Sequence, residues 1–465
     1  MNKKVKDTLV VGMALFAMFL GAGNIIFPPF MGVNTGNLWW LAFIGYALTG
    51  TGMPMLGVLA LSKVGGDSNN ISKRVSIKFA AVLNTLILLF IGPLFAIPRT
   101  AATTMELSIQ PYLGDVVSPG IIKFVGGAIF FIICLSLAIS ENNVIDRIGA
   151  ILTPILVVFL LTMIVMSVVK PIGTPGEPAR TTNIFYYGFS TGYQTMDGMG
   201  SIVMGGSAAF ALMRKGYSRE ETSGMLKYVA MIAGIGLTVV YMGFTWIGAS
   251  ASKMFANAEN LEHSDLTVQV VKLLGGNFGQ ALLAGIIFFA CVTTATGLIV
   301  TASDYFSHLF KDKVSYRMIA IIVTVISYAI STIGVQNIIT IAGPVLEVIY
   351  PVVIVLIILN LFNEKIRFDY AFRGAVFATI AVAIVIGLTF IPSAKEAAQN
   401  ILNQIPLGSE GFGYIVPAVV GLIVGFGLEI NKRIVSQSER MANMEARITD
   451  LEAKLLQFDS KAHKQ

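Results

Sequence analysis

Charged residues are scarce in this chain. Only 12% of the 465 residues are Asp, Glu, Lys or Arg, whereas 55% are hydrophobic and the mean hydropathy is +0.77. This balance excludes a soluble multidomain protein, in which about a quarter of the residues are charged. The net charge of +6 does not indicate a nucleic-acid partner, because the basic residues lie in short clusters between apolar runs. The composition therefore predicts a polytopic membrane protein in contact with lipid.

Cysteine and histidine are also rare. Cys134 and Cys291, the only two cysteines, both lie inside apolar runs, which excludes a disulfide framework and a cysteine metal site. The three histidines form no His-Glu-x-x-His zinc motif, and none provides a base for a serine at membrane depth. Paired intramembrane aspartates in a Gly-Asp motif are absent too. We therefore expect neither an enzyme nor a bound cofactor.

Long apolar runs are abundant, and about 20 apolar residues suffice to cross a bilayer. We predict twelve membrane spans, at 8–33, 36–62, 79–105, 119–139, 144–169, 185–212, 224–250, 277–308, 316–333, 336–361, 370–391 and 412–431. The basic N-terminus precedes the first span without a cleavage pattern, so it is not predicted to be a removed signal peptide. If both termini are cytoplasmic, 25 of the 32 basic residues fall on the inner side, as the positive-inside rule requires.

Two of these spans have helix-breaking residues at their centres. The first has two glycines and an asparagine at 21–24 with two prolines just beyond, and the sixth has a glycine-flanked aspartate at 194–198. In hydrocarbon, the backbone groups freed by such breaks need other partners, so each break predicts a binding site. The predicted substrate-binding residues are Gly21, Ala22, Gly23, Asn24, Gln194, Thr195, Asp197 and Gly198.

The arrangement of the two breaks points to a transporter. The broken spans are five spans apart and so cross the membrane in opposite directions, which is typical of inverted-repeat transporters. The layout predicts repeats over about 8–169 and 185–361, with helices 370–391 and 412–431 added, in a transporter domain spanning 1–433. A zwitterionic amino acid suits such breaks: its carboxylate would meet amides at 21–24 and its ammonium would meet carbonyls at 194–197. Met196, Phe19 and Phe289 are candidates for the side-chain pocket.

The eighth span carries a stripe of small and polar residues. Residues three or four apart share a helix face, which places Ala290, Thr293, Thr294 and Gly297 together. Two adjacent hydroxyls beside the carbonyls of a broken helix would form an uncharged oxygen site for a monovalent cation. The alternative is ordinary packing, because membrane threonines often bond to their own backbone.

Two further charges lie within predicted spans, and each is expected to have a partner or to face water. Arg99 is predicted in the outer third of span three, as an outer gate or a residue reaching the interface. Glu347 is predicted near the middle of span ten, as a proton-sensitive carboxylate or half of a structural ion pair. Proton exchange at Asp197 or Glu347 would make the proton the coupling ion instead of sodium.

Three stretches resemble a known family. They are GAGNIIFPP at 21–29, GPLFAIPRTA at 92–101 and GYQTMDG at 192–198. They resemble the branched-chain amino acid:cation symporters, the bacterial carriers of leucine, isoleucine and valine, and the resemblance covers essentially all twelve spans. It implies a five-plus-five inverted-repeat fold with discontinuous helices 1 and 6, like that of sodium-coupled amino acid transporters, in the bacterial cytoplasmic membrane. It also implies a sodium site formed by Ala17, Leu20, Ala290, Thr293 and Thr294.

The sequence thus predicts secondary import of branched-chain amino acids with sodium by alternating access. One alternative is a proton-coupled carrier of another neutral amino acid or solute. Another is a membrane sensor that binds amino acids without moving them.

Two segments outside the spans have amphipathic patterns. In the loop 251–276, residues from 260 onward predict a short helix, part of an external lid, with Ser264 or Asp265 near its N-cap, and His263 is expected to be exposed. In the tail 434–465, apolar residues recur with a heptad spacing. This tail is predicted to be either a coiled coil that links two or three copies of the chain or one amphipathic helix on the cytoplasmic membrane surface.

Overall fold

The computed structural model describes residues 2–139, 148–180, 182–255, 261–311, 313–366 and 368–462, with the backbone alone at 149, 450 and 452–462. The first residues of the predicted fifth span, 144–147, and Asn260 of the predicted lid helix lie outside the described residues. Within the described residues, the regular structure is entirely helical.

Within the described ranges, twenty helices account for most of the residues, and three- to six-residue turns of 3₁₀ or π geometry join several of them. In chain order they are α1 Lys3–Phe19, α2 Ala22–Thr35, α3 Trp39–Ala47, α4 Met53–Lys63, α5 Ser68–Lys73, α6 Ile77–Leu89, α7 Ala96–Thr103, α8 Gln110–Leu113, α9 Pro119–Ile121, α10 Gly127–Ala138, α11 Thr153–Val169, α12 Ile184–Thr191, α13 Asp197–Arg214, α14 Arg219–Ala251, α15 His263–Leu309, α16 Tyr316–Ser331, α17 Val335–Leu361, α18 Asp369–Leu388, α19 Lys395–Gln404 and α20 Ile415–Ala462.

The described residues contain 10 helical segments that are long and apolar enough to cross a membrane. This makes the chain a multi-pass membrane protein. Two differences separate this number from the twelve predicted spans. The predicted first span is divided into α1 and α2, and its second half is counted together with the next span as Ala22–Lys63. The predicted ninth span corresponds to α16, which is a shorter apolar helix of Tyr316–Ser331.

The backbone leaves the helical path at the centres of the two spans where breaks were predicted, and also in a third. Between α6 and α7, Gly92 has non-helical torsion angles (φ −88°, ψ −119°) and the following Pro93 has no N–H to donate. The predicted span 79–105 included no break at this position. This third break separates α7 from α6, and α7 packs against α2.

Close backbone contacts hold the broken helices against their neighbours. On α14, Gly248 lies so close to α2 that a Cβ there would be 2.0 Å from the carbonyl oxygen of Pro29. On α12, Gly188 lies similarly close to α3, since its Cβ would be 1.9 Å from the carbonyl oxygen of Ala42. Because only glycine fits such approaches, small residues fix where α2 and α12 pack.

The lid segment agrees with its prediction in one respect and differs in another. A helix forms there, and α15 begins at His263 with Glu262 as its N-cap, so Ser264 and Asp265 lie in its first turn, near the N-cap as predicted. The first part of α15 ends at a kink at Gly276 (φ 54°). The expectation that His263 is exposed is wrong, because its ring is half-buried and stacks on Phe30 with centroids 3.9 Å apart.

The tail is helical, as predicted. The last helix, α20, runs from Ile415 to Ala462 without interruption at the predicted domain boundary after Arg433. Its apolar stripe is uncovered: Met441, Met444 and Ile448 are each at least 50% exposed. The choice between a coiled coil and a membrane-surface helix stays a prediction, and the side chains at the later heptad positions Leu455 and Phe458 lie outside the described residues.

Candidate functional site

The break in the first span occurs at Leu20 and Gly21. Leu20 ends α1 with non-helical torsion angles (φ −74°, ψ 76°), and Gly21 is extended (φ −97°, ψ −165°). The side-chain oxygen of Asn24 accepts a hydrogen bond from the Gly21 N–H at 3.0 Å, which stabilises the turn. The first N–H groups of α2, including those of Ala22 and Gly23, have no carbonyl partner within the helix and form its positive end.

The break in the sixth span is longer. α12 ends at Thr191, a 3₁₀ turn follows at Gly192–Thr195, and Met196 then adopts a left-handed conformation (φ 65°) that is rare for a residue with a side chain. α13 starts directly afterwards at Asp197. Both breaks therefore lie within a few residues of the positions that the sequence predicts.

A buried polar cluster joins the two breaks. The Asn24 side-chain amide donates hydrogen bonds to Asp197 Oδ2 and to the Tyr241 hydroxyl. The Tyr241 hydroxyl in turn donates to the same Asp197 oxygen at 3.0 Å. These three side chains are at most 5% exposed. The cluster connects α2 and α13 to the long helix α14, and sequence reasoning missed Tyr241 because a lone tyrosine in an apolar run gives no signal.

A small cavity lies beside this cluster. Its free volume is about 20 Å³, which is space for a water molecule rather than for a leucine side chain. A substrate of amino acid size would therefore require the walls to separate. The residues around the cavity are Met18, Phe19, Gly21, Ala22, Asn24, Ile91, Ala96, Arg99, Thr100, Thr195, Met196, Asp197, Gly200, Met204, Thr294 and Leu298.

Some predicted site residues lie away from the cavity. Gln194 points towards α17, where its Nε2 is 3.3 Å from the position of a Cβ on Gly343. Gly198 packs against the ring of Tyr350. Of the three side-chain pocket candidates, Phe19 and Met196 line the cavity, whereas Phe289 packs against Phe159.

Arg99 is buried inside the helix bundle. Its side chain is only 2% exposed and lines the cavity, so it does not reach the interface by snorkelling. Its Nη2 is 2.7 Å from the position of a Cβ on Gly23, in the first turn of α2. Its Cζ is 5.5 Å from the centre of the Phe27 ring. Among the described residues, its Nε and Nη1 have no hydrogen-bond partner, and it forms no ion pair with a carboxylate.

Glu347 lies outside the cavity. It is half-buried on α17, and its carboxylate accepts a hydrogen bond from the Tyr186 hydroxyl of α12 at 3.2 Å. Its partner in the described structure is thus a neutral hydroxyl rather than the cation of a structural ion pair.

The threonines of the eighth predicted span contact the end of α1. The hydroxyls of Thr293 and Thr294 donate to the Ala17 carbonyl at 3.1 and 3.2 Å. Thr293 is also 2.9 Å from the Ala290 carbonyl. Four of the five residues implied as sodium ligands therefore cluster, and Leu20 follows one turn after Ala17 as the C-cap of α1. Such neutral oxygens suit a hard monovalent cation.

A much larger cavity of about 610 Å³ opens near the cluster. It is bordered by Val203, Ser207, Lys215, Thr301 and His308, on the ends of α13 and α15. The Ser207 and Thr301 hydroxyls are 3.0 Å apart and hydrogen-bonded. They lie one helical turn beyond Met204 and Leu298 of the small cavity, along α13 and α15.

Comparison with known proteins identifies the family. A family model described as branched-chain amino acid transport protein matches residues 4–432. The chain belongs to this family. The branched-chain amino acid permease BrnQ of Bacillus subtilis (strain 168) is 32% identical over 438 residues, covering 92% of this chain and 99% of the permease. As its relatives are permeases and carriers, this member of the branched-chain amino acid transport family is not an enzyme.

A second relative is a transport-system carrier protein. The branched-chain amino acid transport system 2 carrier protein of Pseudomonas aeruginosa is 34% identical over 422 residues, covering 90% of this chain and 95% of the carrier. Among solved structures, this family member is similar to Mhp1, a nucleobase-cation-symport-1 family transporter in a closed conformation with bromovinylhydantoin bound. The TM-score is 0.59 at 13% identity over 93% of each chain, which shows a shared LeuT-type transporter fold.

Proposed function

We propose that this protein imports leucine, isoleucine and valine together with sodium by alternating access. The observation that carries the proposal is the cluster of Asn24, Asp197 and Tyr241, which joins two broken helices at one buried site. The positive end of α2 and the carboxylate of Asp197 lie at this site, and they complement the two charges of a free amino acid. A family of branched-chain amino acid transport proteins supplies the substrate class.

The coupling ion in this proposal is sodium. The Thr293 hydroxyl lies within hydrogen-bond distance of the Ala17 and Ala290 carbonyls, and the Thr294 hydroxyl within hydrogen-bond distance of the Ala17 carbonyl. Thr294 also lines the small cavity, so the cation and the substrate would occupy adjacent sites. Adjacent sites explain coupling, since each ligand would stabilise the arrangement of α1 and α2 that the other needs.

Two features at opposite ends of α15 support alternating access. At one end, the 610 Å³ cavity reaches to within one helical turn of the site. At the other end, the Glu106 carboxylate accepts a hydrogen bond from the Ser264 hydroxyl at 2.9 Å and forms a salt bridge with Lys123 at 3.0 Å. These contacts connect the three chain segments that carry Glu106, Lys123 and Ser264. The described conformation thus suits a state open on the side of His308, which the charge distribution assigns to the cytoplasm.

We also propose twelve spans in two inverted halves. Dividing Ala22–Lys63 at Gly36 (φ 49°), adding α1 to its first part and counting α16 as a span would give this number. Both termini would then lie in the cytoplasm of a bacterial cell.

A proton-coupled carrier is the second candidate. Asp197 and Glu347 are carboxyl groups placed within membrane-spanning helices, and either one offers a protonation site.

Leucine uptake into proteoliposomes tests both candidates. We expect concentrative uptake of radiolabelled leucine with an inward sodium gradient and not with an equal potassium gradient. In Thr294→Ala, we expect the sodium concentration for half-maximal uptake to rise roughly fivefold, equivalent to about 1 kcal/mol for one lost oxygen ligand. Thr296→Ala is the control, because Thr296 is two residues further along α15, on roughly the opposite helix face.

Three other outcomes of this experiment would contradict parts of the proposal. Leucine uptake that ignores sodium but collapses with a protonophore would replace sodium by protons. Leucine binding without any uptake would contradict the transport proposal and leave a sensor. An equal shift in Thr294→Ala and Thr296→Ala would contradict the sodium site.

A further inference from the structure

Arg99 is a buried cation that forms no salt bridge with any of the described residues. The residue is only 2% exposed, yet its Nε and Nη1 have no hydrogen-bond partner there. Arginine keeps its charge at physiological pH, and leaving a buried charge without partners is strongly unfavourable. A guanidinium without partners on the wall of a binding cavity therefore indicates that a group of the ligand accepts its free hydrogen bonds.

The surroundings of Arg99 favour a negatively charged ligand group. The guanidinium lies against Gly23 in the first turn of α2, where the helix dipole and free N–H groups already favour an anion. Asp197, which lines the same cavity, forms its hydrogen bonds with Asn24 and Tyr241 and no salt bridge with Arg99. The positive guanidinium of Arg99 and the positive end of α2 therefore lie side by side. The Asp197 carboxylate is hydrogen-bonded to Asn24 and Tyr241.

We propose that Arg99 binds the α-carboxylate of the transported amino acid, together with the first N–H groups of α2. This inference rests on the proposed function and adds a specificity residue to it. A planar guanidinium can form two parallel hydrogen bonds with a carboxylate, and it adds a full positive charge to the partial charge of the helix end. The site would then require a free carboxylate on its substrate, and would reject amides and alcohols of the same shape.

Gly23 has a defined part in this arrangement. A Cβ at this position would lie 2.7 Å from Arg99 Nη2 and 2.9 Å from the Phe27 ring, so any side chain there would displace the guanidinium. The glycine is needed for the close approach of Arg99 to the helix end, in addition to its effect on the break itself.

The test compares leucine with leucinamide, which lacks the carboxylate but keeps the side chain. Binding of both is measured by competition against radiolabelled leucine or isoleucine on purified full-length protein. In wild type, we expect leucine to bind far more tightly than leucinamide. In Arg99→Gln, we expect leucine affinity to fall roughly 10- to 100-fold, as for the loss of a charge-assisted hydrogen bond. Leucinamide affinity should change little. The ratio of leucine affinity to leucinamide affinity should therefore fall by the same roughly 10- to 100-fold.

Further variants separate this role from a structural one. Gly23→Ala should reduce the ratio in the same direction with Arg99 still present, which keeps the test valid if Arg99→Gln does not accumulate. Arg99→Lys, which keeps the charge without the planar fork, should give an intermediate ratio. Arg74→Gln removes a positive charge that pairs with Asp369 outside the site, and it should leave the ratio at the wild-type value.

Two results would overturn the inference in different ways. A parallel loss of leucine and leucinamide affinity in Arg99→Gln, with the ratio unchanged, would assign Arg99 a structural role while leaving the proposed function intact. A wild-type protein that binds no branched-chain amino acid would refute the proposed function itself, and the carboxylate role with it.

Discussion

The Tyr241 hydroxyl is a single group that connects three helices. It accepts from Asn24 of α2 and donates to Asp197 of α13, while its own ring belongs to α14. In Tyr241→Phe, we expect the leucine concentration for half-maximal uptake to rise about tenfold, because a hydrogen bond to a charged group contributes about 1.5 kcal/mol or more. Uptake kinetics in proteoliposomes measure this shift.

A neighbouring tyrosine provides the matched control. Tyr46 is fully buried and its ring packs edge-on against Tyr241, with centroids 5.1 Å apart, but its hydroxyl has no hydrogen-bond partner among the described residues. Tyr46→Phe should therefore leave leucine uptake unchanged. Equal effects of the two substitutions would contradict the role of the Tyr241 hydrogen bonds, because both variants keep their rings and only the Tyr241 hydroxyl has partners among the described residues.

At the scale of the element, the contact between α2 and α14 positions the first break. Gly248→Ala would place a Cβ 2.0 Å from the Pro29 carbonyl oxygen, which forces the two helices apart. We expect a destabilisation of about 1–3 kcal/mol, typical of overpacking, seen as a lower temperature of thermal inactivation in detergent. Uptake should fall as well, since α2 carries Asn24.

Gly224 offers a control on the same helix. It belongs to α14, and a Cβ there would meet nothing within 4 Å. Gly224→Ala should be neutral or stabilise the helix by about 0.5–1 kcal/mol, because alanine loses less conformational freedom than glycine on folding. A drop in thermal stability as large as that of Gly248→Ala would contradict the packing explanation.

At the scale of the whole molecule, the two ends of α15 are expected on opposite sides of the membrane. Single cysteines at His308 and at Lys272 test this with a membrane-impermeant thiol reagent, since both positions are exposed and both native cysteines are buried. His308→Cys should react in inside-out vesicles, and Lys272→Cys should react in right-side-out vesicles. Labelling of both from one side would contradict the proposed topology.

The sequence pattern of the tail predicts its secondary structure but not its binding partner. Its periodicity predicts a helix, and α20 is helical through Ala462. The partner of its apolar stripe is a property of an assembly or of a lipid surface, which the heptad pattern alone does not choose. A second copy of the chain remains a prediction for this segment.

Much of the site could be predicted because its elements are coded locally. Glycine, asparagine and aspartate in the middle of an apolar span cannot sustain a lipid-exposed helix, so the breaks at Gly21 and beside Asp197 follow from the chain alone. The pairing of Thr293 and Thr294 on one helix face follows from helical periodicity in the same way. The break at Gly92 was also marked by a Gly-Pro pair, but the high hydropathy around it led to one continuous span.

The tertiary structure decided which side chains face those breaks. Tyr241 and Arg99 are 44 and 98 positions from Asp197 in sequence, and nothing in their local patterns sets them against the breaks. His263 likewise lies in a polar loop sequence but stacks on Phe30 because the first part of α15 folds over α2. The sequence by itself determined where the helices stop, because that depends on neighbouring residues. Only the packing of separate helices decided which side chains meet there, because those contacts join distant parts of the chain.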